Sequence, residues 1–210
     1  MNMEERLSRL EAKVQRLEDI EEIHNLMYRY FFYFANHSDR IENELFSQTN
    51  PNVYAIIGDR GKYTGIDKIK EIFGAMRETY LKVPGFMGFI IGMNPVIEVA
   101  KDGKTAQGLW YGFGPHVMPG LDTNELTQQW LFGKYVMEYV KEDDGWKILG
   151  LTFLCIFRTS YEKGWLKEQE TRRVKFAAKP SQTSDEVNTH HPYDPTIVNP
   201  FLPNPPERIR

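Results

Sequence analysis

Met3, Leu7, Leu10, Val14 and Leu17 recur at alternating steps of four and three, with charged residues filling most positions between them. That is the seam of a short coiled-coil-like helix, and such a seam needs a partner surface. Asp19 followed three residues later by Glu22 has the form of a capping box. It predicts a second helix starting there, with Ile20, Ile23, Met27, Tyr30, Phe31 and Phe34 on its buried face. Ala35-Asn36-His37-Ser38-Asp39 offers side-chain hydrogen bonds that compete with helical ones, so this helix should end near Asn36 to Asp39.

Val53 to Ile57 reads as a strand from its β-branched content, and a Gly-Asp-Arg-Gly turn then leads to a short strand over Lys62 to Thr64. Thr64 with Asp67 opens an amphipathic helix carrying Ile66, Ile69, Ile72, Phe73, Met76 and Tyr80, which Pro84-Gly85 ends. From there the pattern is that of long strands: Phe86 to Val99, Thr105 to Phe113, Glu125 to Glu142 and Trp146 to Arg158. Asp102-Gly103 and Asp144-Gly145 form hairpin turns between them. Helices gathered on one side of an antiparallel sheet make an α+β fold. Residues from Pro180 onward hold seven of the 12 prolines and no apolar periodicity, so they should form an extended arm over this domain or a neighbour. The chain divides into a helical arm over 1–18, a pocket domain over 19–170 and a proline-rich tail over 171–210.

Composition narrows the partners. A net charge of -3 gives no field that would draw the chain to nucleic acid or an anionic membrane. Cys155 is the only cysteine, so no intramolecular disulfide framework is possible. The N-terminus lacks the unbroken apolar region of a secretory signal, and no stretch approaches a membrane-spanning helix, which makes the cytoplasm the expected location. Aromatic residues make up 13% of the chain and cluster in short runs, which suits a cavity lined for a hydrophobic, ring-containing small molecule.

Five local patterns occur in order: the opening helix Ile20 to Phe34 with Tyr30; Gly61-Lys62-Tyr63-Thr64-Gly65-Ile66; Asn94-Pro95-Val96-Ile97-Glu98-Val99 before Asp102-Gly103; Gly133-Lys134-Tyr135 leading to Asp144-Gly145-Trp146-Lys147-Ile148; and Tyr161-Glu162-Lys163-Gly164-Trp165. Together they resemble the nuclear transport factor two-like superfamily, in particular its SnoaL-like branch. The resemblance implies a cone-shaped curved antiparallel sheet packed against N-terminal helices, a deep pocket between them, and a homodimer or homotrimer. It also implies an activity among the dehydratases, isomerases, polyketide cyclases and cofactor-free lyases, or else ligand or protein binding. The family's dehydratases carry an Asp five residues after the first-helix tyrosine and a pocket His at the start of the strand leading to the Asn-Pro pattern. Here those positions hold Ala35 and Ile90 or Ile91.

Other groups must therefore carry any proton transfer. Tyr30 matches the family's pocket tyrosine, and it is either a substrate contact or an amphipathic core residue. Tyr63 sits between Gly61 and Gly65, where backbone can approach a ligand, with Arg60 beside it. Arg158 shares alternating parity with Trp146, Ile148, Gly150, Thr152, Leu154 and Ile156, which would place a guanidinium at the pocket rim to neutralise an oxyanion. His116 lies in Gly112 to Gly120, a loop dense in turn formers between two strands, and an imidazole there is either the natural proton-transfer group or an ordinary surface residue. Phe34, Trp110 and Tyr135 are candidate substrate contacts, and Lys134 is one if its strand face is the buried one; on the convex face it is solvated. No phosphate loop, dinucleotide fingerprint or metal-ligand cluster is visible, and the paired His190-His191 is poor grounds for a metal site. The reading is a cofactor-independent lyase for a hydrophobic, aromatic or polycyclic hydroxylated molecule. Tyr30, Tyr63, His116 and Arg158 would be its catalytic groups, with no metal and no cofactor. An isomerase or cyclase on the same substrates, or a non-catalytic binding module, is the alternative.

Overall fold

The computed structural model describes residues 2–57, 61–119, 125–168 and 192–207. Its first helix, α1, runs unbroken over Met3–Ala35, through the start expected at Asp19. Asn2 and Glu5 form the capping box instead: Asn2 Oδ1 accepts from the Glu5 amide at 2.8 Å, and Glu5 Oε2 accepts from the Asn2 amide at 2.9 Å. Asp19 is occupied elsewhere. It is buried and accepts from Lys141 Nζ at 2.6 Å and Trp146 Nε1 at 3.0 Å. Burial pushes its carboxyl pKa up, but these donors outweigh burial and leave it below the ordinary value, so the charge that ties α1 to the sheet is retained. The helix ends at Asn36, where the amides of His37 and Ser38 bond to the carbonyls of Phe34 and Tyr33 at 3.2 and 2.9 Å. With His37 at φ 52° this is a Schellman arrangement, so the 36–39 segment caps the helix.

A π-helical turn, Ile41–Leu45, leads to β1 (Tyr54–Ile57) and β2 (Lys62–Thr64), an antiparallel pair. Then comes α2 (Ile66–Leu81), whose N-cap is Gly65 at φ 92° with no side-chain cap, so the expected Thr64/Asp67 box does not form. The remaining elements are β3 (Met87–Gly88), β4 (Ile91–Val99), β5 (Thr105–Pro119), β6 (Leu126–Glu142), β7 (Gly145–Ser160) and a short α3 (Gly164–Lys167). The sheet order is β2-β1-β7-β6-β5-β3, with β4 also on β5. The fold is α+β, a curled sheet against N-terminal helices, with one departure: β1 joins β7 in parallel, so the sheet is mixed. The strand expected over Phe86 to Val99 is split into β3 and β4. The strand expected to stop at Phe113 continues to Pro119 and pairs with β6 throughout, which puts His116 on a strand rather than in a loop.

Missing side chains and extra residues set the curvature. The inward row of β5 includes Gly108, Trp110, Gly112, Gly114, His116 and Met118. A β-carbon at Gly112 would lie 2.7 Å from the Tyr135 ring, and one at Gly114 would lie 1.9 Å from the Phe89 carbonyl oxygen. These glycines admit a ring and a neighbouring backbone where any larger residue would collide. In β7 the register against β6 slips at Leu149 and again at Ile156. Each bulge reverses which side chains face inward. Trp146 and Ile148 face the core, then Leu151, Phe153 and Cys155, then Arg158. The uniform alternation expected from Trp146 to Arg158 therefore fails in the middle, and two reversals return Arg158 to the concave side.

Residues 192–207 lie against the convex face. The Tyr193 amide donates to the carbonyl of the bulge residue Ile156 at 2.6 Å, and Lys134 Nζ donates to the carbonyls of Phe201 and, at 2.9 Å, Pro203. His190 and His191 lie outside the described residues. No helix among the described residues is long and apolar enough to cross a membrane.

The close approach at Gly114 gives a paired prediction. Gly114→Ala should destabilise the fold by about 2 kcal/mol or more through overpacking against backbone. Gly74→Ala in mid-α2, where a β-carbon meets only Arg77 Nη2 at 3.8 Å, should stabilise it by about 0.5–1 kcal/mol. Urea midpoints of the two variants check both signs, and a wild-type midpoint for Gly114→Ala contradicts the packing described.

Candidate functional site

Between the concave sheet face and the two long helices lies a cavity of about 60 Å³. Much of its wall is apolar, from Phe73 and Met76 on α2, Leu131 on β6, and Leu151 and Phe153 on β7. Phe34, Tyr80 and Phe86 are half-buried wall residues and form its more exposed side, with the Tyr80 and Phe86 rings stacked at 4.3 Å. Tyr30, Tyr135, His116, Cys155 and Arg158 supply polar atoms to the same wall.

Cross-strand register brings the polar groups together. His116 is the partner of Gln129, Leu131 of Arg158, and Gly133 of Cys155. Tyr30 reaches in from α1 and hydrogen-bonds with Tyr135, their rings edge to face at 5.7 Å. Burial drives both phenols well above their ordinary pKa, so both stay protonated and act as donors. Burial, reinforced by the Arg158 guanidinium, lowers the His116 imidazole to about 3, against a weaker opposing effect of the Gly114 carbonyl. His116 Nδ1 lies 3.4 Å from that carbonyl oxygen. The tautomer protonated at Nδ1 points a donor at Gly114 and leaves Nε2 as an acceptor. Gln129 is also buried; its Nε2 donates to Thr127 Oγ1 at 2.8 Å, and its Oε1 has no hydrogen-bond partner among the described residues.

Of the residues singled out from sequence, Tyr30, Phe34, His116, Tyr135 and Arg158 line this cavity. Three others do not. Trp110 is fully buried beneath α1, edge-on to His24, Tyr28 and Phe31, with its Nε1 donating to Tyr139 Oη at 3.2 Å. Its inward position on β5 lies farther down the cone than the cavity. Tyr63 is buried opposite Ala55 on the edge hairpin, and Ile57 reaches the cavity from that side instead. Lys134 is on the convex face, beneath the tail, because inward positions on β6 are the odd-numbered ones. Arg60 lies outside the described residues.

At the family's pocket-histidine position the structure distinguishes two candidates: Ile90 lines the cavity and Ile91 faces solvent. His37 packs on Phe86 and Tyr80, with ring centroids at 5.1 and 6.0 Å, behind the wall rather than in it. Sequence reasoning missed Cys155, Tyr80, Phe86 and Gln129. Only Tyr80 carried a signal, at the end of the α2 apolar stripe. Cys155 needed the β7 bulges, Phe86 the break before β3, and Gln129 the continuation of β5. Among the described residues, no three His, Cys, Asp or Glu side chains gather in a way that could hold a metal ion.

His116 makes stability pH-dependent in a defined direction. Its folded pKa of about 3 lies below the unfolded value of 6.5, so the unfolded chain takes up a proton first as pH falls. The stability it contributes is complete above about pH 6.5 and is lost progressively toward pH 3. Between pH 7 and 5 the wild type should lose about 2 kcal/mol more than His116→Gln, measured by denaturant unfolding at both pH values. Equal losses would mean that the imidazole is not held neutral.

A family model described as a SnoaL-like domain matches residues 15–152. Among solved structures, a provisionally named scytalone dehydratase from Novosphingobium aromaticivorans superposes with a TM-score of 0.59 at 18% identity, covering 82% of this chain and 99% of that one. A type 2 hexachlorocyclohexane dehydrochlorinase, LinA, gives 0.56 at 16% identity, covering 70% and 92%. A nuclear transport factor 2-like protein with a cystatin-like fold, also from Novosphingobium aromaticivorans, gives 0.52 at 15%, covering 77% and 94%. A comparison with curated proteins found no match. The family model spans well over half of the chain, so the chain belongs to the SnoaL-like domain family; its curled sheet and helix-capped cavity share the fold of the matching structures, among them the nuclear transport factor 2-like protein with a cystatin-like fold.

Proposed function

We propose that the chain is a cofactor-independent lyase that eliminates water, or a small carbonyl fragment, from a hydrophobic hydroxylated ring compound. The observation that carries this reading is the pairing of a neutral imidazole with a guanidinium in a buried cavity whose other strong donors are protonated phenols. In a dehydration, His116 Nε2 takes the proton from carbon, and the electron pair left behind forms the new double bond through an enolate or phenolate. Arg158 offsets that oxyanion. Tyr135 or Tyr30 gives its proton to the departing hydroxide, and the imidazolium returns a proton to the phenolate, so water leaves and the site is restored. A cationic imidazole beside Arg158 is disfavoured in the empty cavity, and a developing negative charge between them relieves that cost. Catalysis is thereby concentrated on the charged transition state.

The cavity volume of about 60 Å³ is below the roughly 150 Å³ that holds one benzene ring, so a polycyclic compound is disfavoured and a single ring enters only if the more exposed side at Phe34, Tyr80 and Phe86 moves outward. Two structural relatives carry names that denote eliminations, a dehydratase and a dehydrochlorinase, which agrees with this class. One observation favours a second reading, a ligand-binding module: Ala35 and Ile90 stand where the family's Asp and His would be.

A panel of hydroxylated single- and multi-ring ketones and phenols, followed for the absorbance of newly conjugated products, separates the two. Turnover is expected, and His116→Gln and Tyr135→Phe should each lower kcat by about 100-fold. Arg158→Lys should also be damaging, because the planar fork is lost with the charge kept. Tyr63→Phe should leave turnover unchanged, since Tyr63 is outside the cavity. Binding without turnover in the wild type supports the binding module, and normal turnover in the first three variants overturns the mechanism.

A further inference from the structure

The apolar stripe on the first half of α1 is covered by nothing among the described residues: Met3, Leu7, Leu10, Val14 and Leu17 are 74%, 55%, 57%, 52% and 66% exposed. We propose that it is the seam of a parallel, in-register, two-stranded coiled coil with a second copy of this chain. In heptad terms Leu7 and Val14 occupy a positions, and Met3, Leu10 and Leu17 occupy d positions. Val14, β-branched at a, between Leu10 and Leu17 at d is the combination that favours two strands.

The flanking charges choose the partner and its direction. Positions e hold Glu4, Glu11 and Glu18, and positions g hold Arg6 and Lys13, all of them exposed. In a parallel pair each g residue faces the e residue five positions later on the other helix. Arg6 then meets the partner's Glu11, Lys13 meets the partner's Glu18, and symmetry repeats both pairs. An antiparallel pair would instead set glutamates against glutamates and the two basic residues against each other. Opposite signs at every g–e contact are what a self-pairing parallel helix requires.

The fold leaves room for the second helix. The domain grips α1 by the opposite side: Arg16 donates to the Val99 carbonyl at 2.7 Å and to Glu98 Oε2 at 2.6 Å, and Asp19, Ile23, Leu26 and Tyr30 are buried. These are c and f positions, facing away from the a/d seam. Farther along, the a positions Glu21 and Tyr28 are still exposed, but the d positions His24 and Phe31 pack onto the sheet, so the paired stretch runs from Met3 to Leu17 and the two helices part beyond it. A free segment of this length would be a marginal helix. Here it is the extension of a helix already fixed by the domain, so little ordering remains to be done on association.

The test uses the full-length chain at micromolar concentration in sedimentation equilibrium. The wild type should be a dimer, and Leu10→Glu combined with Leu17→Glu a monomer with unchanged circular dichroism and melting of the domain. Arg6→Glu with Lys13→Glu should weaken self-association by roughly tenfold, and adding Glu11→Lys with Glu18→Lys should restore it. Oxidised Met3→Cys should give a disulfide-linked dimer, since residue 3 faces its own copy only in the parallel register. A monomeric wild type, a mass unchanged by Leu10→Glu with Leu17→Glu, or charge reversal without effect would each overturn the proposal. So would failure of Met3→Cys to cross-link.

Discussion

The concave face of this sheet exists because side chains are missing from it at chosen places. At Gly92 a β-carbon would lie 2.0 Å from the Phe31 ring, at Gly112 2.7 Å from Tyr135, and at Gly133 2.7 Å from Phe153. Each glycine therefore seats an aromatic ring, and in each case the ring belongs to the core or to the cavity wall. The steric allowance at Gly114 lets the backbone between β3 and β4 close over β5 and carries Ile90 into the wall. With these positions filled, the strands could not curl tightly enough to bring His116, Arg158 and the Tyr30–Tyr135 pair to one small space.

That space then sets its own electrostatics. Burial moves three of its groups toward neutrality, upward for the two tyrosines and downward for His116. Arg158 adds a planar, delocalised guanidinium to them. One fixed positive charge among neutral donors and one neutral acceptor is an arrangement suited to an oxyanion that forms and disappears. The convex side does something different: Lys134, a buried cation, binds tail carbonyls across the sheet from the cavity.

Much of this was legible in the sequence, for reasons visible in the residues. The Asp102-Gly103 and Asp144-Gly145 turns, the α2 stripe and the α1 face carrying Tyr30 and Phe34 follow from local chemistry that packing left intact. What sequence could not show arises where one residue type serves two physical ends. Gly112, Gly114, Pro115 and Pro119 look like turn formers, and the structure uses them inside β5, the glycines for close approach. Leu149 and Ile156 are ordinary apolar residues, so nothing marked them as bulges, although they decide that Cys155 and Arg158 face inward while Leu154 faces the tail. Asp19 and Glu22 have the spacing of a cap, but Lys141 and Trp146, far along the chain, take the carboxylate first.

The central claim is that Arg158 makes this cavity a place where a buried oxyanion is favoured over the neutral hydroxyl. It is tested most directly by titrating 4-nitrophenol bound to the protein and following phenolate absorbance against pH. If the guanidinium outweighs the apolar wall, the bound phenol ionises at a lower pH than the free compound, and the difference disappears in Arg158→Met. A bound phenol that ionises at a higher pH than the free one, with or without Arg158, would mean that desolvation governs the site and would contradict the account.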